Sequence, residues 1–95
     1  MRLDQFLRAS RLVLRRTVAQ ELCEAGAVLV NAVPARSSRP VRVGDELTIR
    51  KRDRRTSVRV LALPVSKQIS RTEAPTLYEI LSDTRLDPDP LLPVD

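Results

Sequence analysis

Apolar residues near the start of the chain follow a helical spacing. Leu3, Phe6 and Leu7 recur at intervals of three and four residues, which places them on one stripe of a short helix. The same spacing returns further on and predicts a second helix from about Val18 to Ala25. Gly26 follows where a helix end favours a residue in the left-handed conformation. The sequence therefore predicts two short amphipathic helices in succession.

The start of the second helix carries a capping-box pattern. Thr17 is followed three residues later by Gln20, so each side chain can bind a backbone N–H that the first turn leaves without an acceptor. Arg15 and Arg16 stand directly before Thr17. Because two cations at a helix N-terminus oppose the helix dipole unless they bind an anion, the pattern favours a phosphate site here. The alternative is that Arg15 and Arg16 are solvated charges.

After Gly26 the period changes to the alternation of strands. We predict strands over residues 27–30, 46–50 and 56–62. Asn31-Ala32 follows the first strand as a turn. Since alanine accepts positive φ poorly at the second turn position, we expect either a different or a strained turn.

The order of these elements predicts an α+β domain over residues 1–63, followed by a C-terminal extension over residues 64–95. In the extension, Pro75 followed by apolar residues at helical spacing predicts a short helix over about residues 75–84. The three prolines after residue 86 predict a disordered end.

Charge is distributed unevenly along the 95 residues. The chain has 17 Lys and Arg against 12 Asp and Glu, a net charge of +5, which points to a polyanionic partner such as nucleic acid or an anionic membrane surface. The balance is +4 over residues 1–16 and +6 over residues 36–59, but −3 over residues 60–95. The acidic C-terminal third is therefore not expected to share the binding surface.

Several functional classes do not fit the composition. Histidine is absent and Cys23 is the only cysteine, so we expect no metal site, no disulfide framework, no cofactor and no enzymatic activity. No apolar run approaches the length of a membrane span, and no signal peptide precedes the first helix, which favours a cytoplasmic protein with no membrane partner. With two aromatic residues, Phe6 and Tyr78, recognition of RNA by base stacking is also excluded.

Three more basic groups have both a binding and a structural interpretation. Arg2, Arg8 and Arg11 lie on or beside the first helix, and the alternative is a solvated helix face. Asp4 suits the first turn of that helix, where it can pair with an arginine of helix two and fix its direction.

The remaining two groups lie further along the chain. Arg36 and Arg39 flank two serines in a loop that suits phosphate and sugar contacts, although a flexible solvated loop would look the same. We interpret the charged turn at residues 50–55 as solvated surface that adds long-range attraction.

Five motifs in order resemble the S4 domain, the RNA-binding domain of ribosomal protein S4. They are Arg2–Leu7, Ser10–Val13, Arg15–Gln20, Val28–Asn31 and Val43–Leu47. The resemblance covers residues 2–62 and implies an S4-type (αL-like) fold, with two helices packed on a small, mostly antiparallel sheet. It implies binding of structured RNA through Arg2, Arg11, Arg15, Arg16, Thr17, Gln20, Arg36 and Arg39. Ala32 departs from the family, which usually has glycine there.

Within that family the chain is similar to small stand-alone bacterial members, and the late motif Leu77–Leu81 shares the similarity. The resemblance implies a factor of ribosome-associated quality control that binds ribosomal RNA and peptidyl-tRNA on obstructed large subunits. It would support C-terminal tailing of the stalled chain by a partner tailing factor, and it would be a monomer off the ribosome. The alternative is a general rRNA-binding heat-shock or ribosome assembly factor.

Two other classes remain for comparison. S4 domains also accompany RNA-modifying enzymes, but no catalytic domain follows residue 62. Two helices joined by a turn also suggest a DNA-binding helix-turn-helix. Helix two, however, carries Glu21 and Glu24 and has few residues suited to reading bases.

Overall fold

Two helices and a five-stranded sheet make up most of the described part of the chain. The computed structural model describes residues 1–65 and 69–93. The elements are α1 (Leu3–Ala9), α2 (Arg16–Glu24), β1 (Val28–Val30), β2 (Val33–Pro34), β3 (Glu46–Arg50), β4 (Arg54–Val60), a 3₁₀ turn (Ala74–Leu77) and β5 (Tyr78–Arg85). The strands pair antiparallel in the order β2-β1-β3-β4-β5. The predicted α+β fold is confirmed.

The core lies between the helices and one face of the sheet. Leu3, Phe6 and Leu7 are fully buried, so the predicted stripe of α1 is the face that packs inward. The facing side chains of the sheet are the alternate residues of its central strands: Val28, Val30, Leu47, Ile49, Val58 and Val60. None of the helices among the described residues is long and apolar enough to cross a membrane.

Helix α2 begins earlier than its sequence predicts. Its N-cap is Arg15, whose side chain makes no capping hydrogen bond, and Thr17 lies inside the first turn. The predicted capping box of Thr17 and Gln20 is therefore wrong, because Gln20 turns toward α1 instead. The C-terminal end follows the prediction, with Gly26 at φ 72° after the last turn.

The turn between β1 and β2 is strained. Asn31 and Ala32 have φ values of 51° and 67°, the combination of a type I′ hairpin turn. Asn31 tolerates this conformation and is held by Asp45, whose Oδ1 accepts from Nδ2 at 3.1 Å. Ala32 has no such compensation. Of the two alternatives that the sequence allows, the structure has the strained turn.

The predicted helix over residues 75–84 is wrong. Its beginning is a 3₁₀ turn, and the rest is β5, which pairs with β4 along its length. The pairing register shifts at Ser57/Val58 and leaves Leu81 as an extra residue in β5. This bulge breaks the two-residue alternation, which is why the apolar spacing resembles that of a helix. The C-terminal extension thus supplies the fifth strand of the sheet.

The end of the chain lies against the sheet. Leu92 is buried, and its carbonyl accepts from Arg52 Nε at 3.0 Å. The carbonyl of Asp87 accepts from Arg50 Nη2 at 3.0 Å. The predicted disorder is therefore wrong for residues 86–93, while residues 94 and 95 lie outside the described part of the chain. The strand predicted over residues 56–62 lies two residues earlier, as β4.

Candidate nucleic-acid interface

Two arginines and a glutamine converge on the carboxylate of Asp4, which is completely buried. Its Oδ1 accepts from the backbone N–H of Gln5 at 2.8 Å and from Arg2 Nε at 3.2 Å. Its Oδ2 accepts from Arg16 Nε at 3.2 Å, from Gln20 Nε2 at 3.0 Å and from Arg2 Nη2 at 3.3 Å. We call these five residues the Asp4 hub. The predicted pairing of Asp4 with an arginine of helix two is confirmed.

The hub leaves part of each guanidinium facing solvent. The side chains of Arg2 and Arg16 are 44% and 46% exposed. Arg16 donates to Asp4 through Nε alone, and its two Nη groups make no hydrogen bond within the described residues. Arg2 donates through Nε and Nη2, and its Nη1 likewise has no acceptor among these residues. Because two guanidiniums share one carboxylate, one positive charge stays uncompensated. The hub therefore presents cationic donors outward from a fixed, buried anchor.

The protonation state of Asp4 follows from these contacts. Burial would raise the pKa of the carboxyl group, but hydrogen bonds from Gln20, Arg16 and the N–H of Gln5 hold the pKa below its ordinary value. Asp4 is therefore an anion at neutral pH. Its negative charge offsets the positive charge of Arg16 at the N-terminus of α2. The unfavourable interaction between Arg16 and the helix dipole is therefore smaller than the sequence suggests.

The two helix N-termini differ in the donors that they leave free. At α1, the N–H groups of Leu3 and Asp4 donate to the carbonyls of Arg39 and Ser37 at 2.8 and 3.1 Å. The carbonyls of the loop therefore occupy these donors of α1, which are not available to a phosphate. At α2, the N–H groups of residues 16–18 have no acceptor among the described residues, and neither does the guanidinium of Arg15. Only α2 offers backbone donors to a phosphate.

A groove runs along α1 beside the hub. Its volume is about 360 Å³, and Met1, Gln5, Arg8, Ala9 and Arg16 line it. We call it the helix groove. Arg8 also lines a small neighbouring pocket with Arg11. Arg11 has a φ of 60° and donates from Nη2 to the carbonyl of Ile69 at 3.4 Å, so the backbone between the helices is fixed at this point.

Arg8 is a candidate for which the sequence allows both RNA binding and a solvated helix face, and it is not among the predicted site residues. Its side chain is exposed and forms no ion pair with the described residues. It lies between Arg16 in the helix groove and Arg11 in the neighbouring pocket, and so connects two predicted site residues. Its three-residue spacing from Arg11 was the signal that could have included it.

The serine-containing loop meets the hub from the other side. Arg36, Ser37 and Ser38 line a cleft of about 450 Å³ together with Arg2 and the C-terminal part of α2. We call it the loop cleft. The backbone of the loop is tied to α1, so it is not the free solvated loop of the alternative interpretation. Arg39 is exposed, and its side chain has no partner among the described residues.

Several arginines of the sheet and its turn have partners within the molecule, whereas the side chains of Arg55 and Arg85 have none among the described residues. Arg59 pairs with Glu46 at 3.2 Å and with Glu79 at 3.7 Å, and Arg54 pairs with Asp83 at 3.5 Å. The turn arginines at positions 50 and 52 donate to carbonyls of the C-terminal segment. A carbonyl does not neutralise a cation, so ion pairs on the sheet reduce the free positive charge only at Arg54 and Arg59.

Cys23 faces the core from α2. It is buried, and burial together with the nearby carboxylates raises the pKa of its thiol to about 11. It is a small apolar residue of the core, with the thiol protonated at neutral pH. Among the described residues, no cluster of potential ligands could hold a metal ion.

Comparison with known proteins places this arrangement in a family. Residues 1–47 match the S4 domain. The RQC P-site tRNA stabilizing factor of Streptococcus pneumoniae is 39% identical over 87 residues, 92% of this chain and 97% of that protein. The protein of the same name from Halalkalibacterium halodurans is 44% identical over 80 residues, and these are 84% of this chain and 89% of the relative.

Solved structures share the fold. Heat Shock Protein 15 of Vibrio cholerae, solved as a trimer, has a TM-score of 0.77 and 28% identity, over 86% of this chain and 82% of the other. The hypothetical protein HP1423 has a TM-score of 0.74 and 29% identity, over 86% and 98%. With its S4 match, the hub at the start of both helices and relatives that align over nearly their whole length, this chain belongs to the family of the RQC P-site tRNA stabilizing factors.

Proposed function

We propose that the protein is a non-enzymatic RNA-binding factor of ribosome-associated quality control. It binds peptidyl-tRNA and ribosomal RNA on obstructed large ribosomal subunits in the cytoplasm, and it supports C-terminal tailing of the stalled chain by a partner tailing factor. The names of its relatives, which describe P-site tRNA stabilization, support this function. Off the ribosome the protein is a monomer.

The observation that carries the proposal is the group of cations around the N-termini of the two helices, where two arginines share one carboxylate. On the sheet, Arg54 and Arg59 are paired with carboxylates. On the helices and the loop, one carboxylate serves two arginines, and Arg8 and Arg15 have no ion pair among the described residues. A basic surface with anchored arginines and free backbone donors suits the phosphates of a structured RNA.

The proposed contacts follow from the geometry of each residue. Arg2 and Arg16 bind phosphates from the hub, and Gln20 acts through Asp4 by fixing its carboxylate. The N-terminus of α2, with Arg15 and Thr17, offers backbone and side-chain donors to a further phosphate. The remaining contacts come from the ends of this surface: Arg8, Arg11, Arg36 and Arg39.

A second candidate function is a general rRNA-binding heat-shock or assembly factor. The similarity to Heat Shock Protein 15 favours it. The two functions differ in their effect on stalled chains. If the quality-control function holds, deletion of the gene removes C-terminal tails from stalled nascent chains. If tails persist at wild-type level, the second function is supported.

Co-sedimentation with purified large subunits that carry peptidyl-tRNA tests the binding surface. We expect Arg16→Ala to weaken binding most, by about 1.5–3 kcal/mol for a lost charged hydrogen bond, and Arg2→Ala next. Each variant also lowers the slope of log affinity against log salt by roughly one unit. The control is Arg55→Ala, which removes an exposed sheet arginine and so changes the net charge equally.

Two outcomes would contradict this assignment. If Arg55→Ala weakens sedimentation as much as Arg16→Ala, binding is determined by net charge or by the charged turn at residues 50–55, and not by the position of Arg16. If Arg16→Ala sediments like the wild type, the contact surface lies at the loop or at the charged turn.

A further inference from the structure

The Asp4 hub separates two concave surfaces. On one side, Arg16 lines the helix groove together with Arg8. On the other side, Arg2 lines the loop cleft together with Arg36. Both arginines are held by the same carboxylate, at Nε distances of 3.2 Å. One buried group therefore sets the position of a cation in each of two grooves, although Glu24 also lines the loop cleft.

We infer that Asp4 is a positioning residue for RNA: it directs Arg16 into the helix groove and Arg2 into the loop cleft, so that each binds its own backbone phosphate. This inference rests on the proposed function and deepens it. Asp4 acts through the two arginines and not by contact with RNA, since its carboxylate is completely buried.

Donors other than the two arginines set the orientation of the Asp4 carboxylate. The backbone N–H of Gln5 holds Oδ1 at 2.8 Å, and the amide of Gln20 holds Oδ2 at 3.0 Å. These two donors come from different helices, so the carboxylate orientation depends on the packing of α1 against α2. An arginine anchored at Nε has lost most of its rotamer freedom before RNA arrives, and less entropy is then lost on binding.

Charge and position predict opposite results for the variant Asp4→Asn. The substitution removes one negative charge and raises the net charge from +5 to +6. Charge alone therefore predicts tighter binding to RNA. Loss of positioning predicts weaker binding, because asparagine cannot accept strongly from two guanidiniums and both arginines become free to rotate.

Glu46→Gln is the matched control. It also removes one negative charge and also breaks a contact with an arginine, since Glu46 pairs with Arg59 at 3.2 Å. That pair lies on the sheet, away from both grooves. We expect Glu46→Gln to bind as tightly as the wild type or tighter.

The experiment is co-sedimentation with large subunits carrying peptidyl-tRNA, over a series of salt concentrations. The bound amount of each variant is divided by its folded fraction, which is measured by circular dichroism. We expect Asp4→Asn to bind about tenfold more weakly, the cost of about 1.4 kcal/mol for the freed side chains, with a salt slope lower by one to two units. Equal or tighter binding of Asp4→Asn overturns the inference. If the wild type itself does not sediment, the proposed function fails instead.

A measurement on the wild-type protein covers the case in which Asp4→Asn does not fold. NMR relaxation of arginine Nε–H groups reports the mobility of each side chain. In the free protein, we expect ordered signals for Arg2 and Arg16 and mobile signals for Arg8 and Arg15. If all four are equally mobile, Asp4 does not position the arginines.

Discussion

Replacement of Ala32 by glycine should stabilise the protein. Ala32 is the second residue of the type I′ turn between β1 and β2, at φ 67°. In this conformation the Cβ of an L-residue approaches the following carbonyl oxygen, whereas glycine has no Cβ. The backbone geometry of the turn is set by the pairing of Val30 with Val33, so it stays the same in the variant.

The magnitude follows from two opposing contributions. Relief of the left-handed strain is worth about 1–2 kcal/mol. The greater freedom of glycine in the unfolded chain takes back about 0.4–1 kcal/mol. The net gain lies between about 0 and 1.6 kcal/mol, and its central value of about 0.8 kcal/mol corresponds to an increase in Tm of about 3–6 °C for a domain of this size.

Thermal unfolding followed by circular dichroism measures this shift, and urea unfolding gives the free energy directly. Asn31→Gly is the matched control, because it changes the neighbouring turn residue to glycine. That variant loses the bonds of the Asn31 side chain to Asp45 and to the N–H of Glu46, so its Tm should fall. An unchanged or lower Tm for Ala32→Gly would refute the strained turn.

Two further predictions concern stability. Because the pKa of Asp4 is lower in the folded protein, its stabilisation is complete above the ordinary value near 3.8 and is lost as the pH falls through the lowered one. The difference in urea midpoint between the wild type and Asp4→Asn should therefore narrow in acid, and a constant difference would contradict this. Leu92→Ala should cost about 2 kcal/mol of unfolding free energy, since Leu92 is buried, while Leu91→Ala, at a 90% exposed position, costs little. Equal urea midpoints for these two variants would mean that the C-terminal segment does not pack on the core.

The helices and the central strands could be predicted because their signals are local. The apolar stripe of α1 and the alternation in β3 each encode the face that packs inward. The fifth strand could not be predicted in this way, because the bulge at Leu81 disturbs its alternation and only pairing with β4 makes it a strand. The same holds for the C-terminal segment, whose prolines suggest disorder while distant arginines bind its carbonyls.

The candidate site shows the same limit. The acid in the first turn of α1 and the arginines before α2 predict one ion pair across the helices, and Arg16 with Asp4 forms it. The capping box at Thr17 is predicted from a local pattern. It does not form, because the amide of Gln20 donates to Asp4 of the other helix instead. The hydrogen bonds from the first N–H groups of α1 to carbonyls of the loop could not be predicted. Backbone contacts between distant segments do not depend on particular side chains, so the sequence does not show them.

The acidic residues of this chain determine which of its arginines are available to RNA. Glu46, Glu79 and Asp83 pair with Arg54 and Arg59 of β4 and so reduce the charge that these two arginines present to RNA. Asp4 acts in the opposite way: it is shared by two arginines and leaves both with outward donors. An acid can thus either remove an arginine from a binding surface or aim it at a ligand. The two cases differ in the burial of the acid. The sheet carboxylates are exposed, so water weakens their ion pairs, whereas the carboxylate of Asp4 is buried beneath the guanidiniums that it binds.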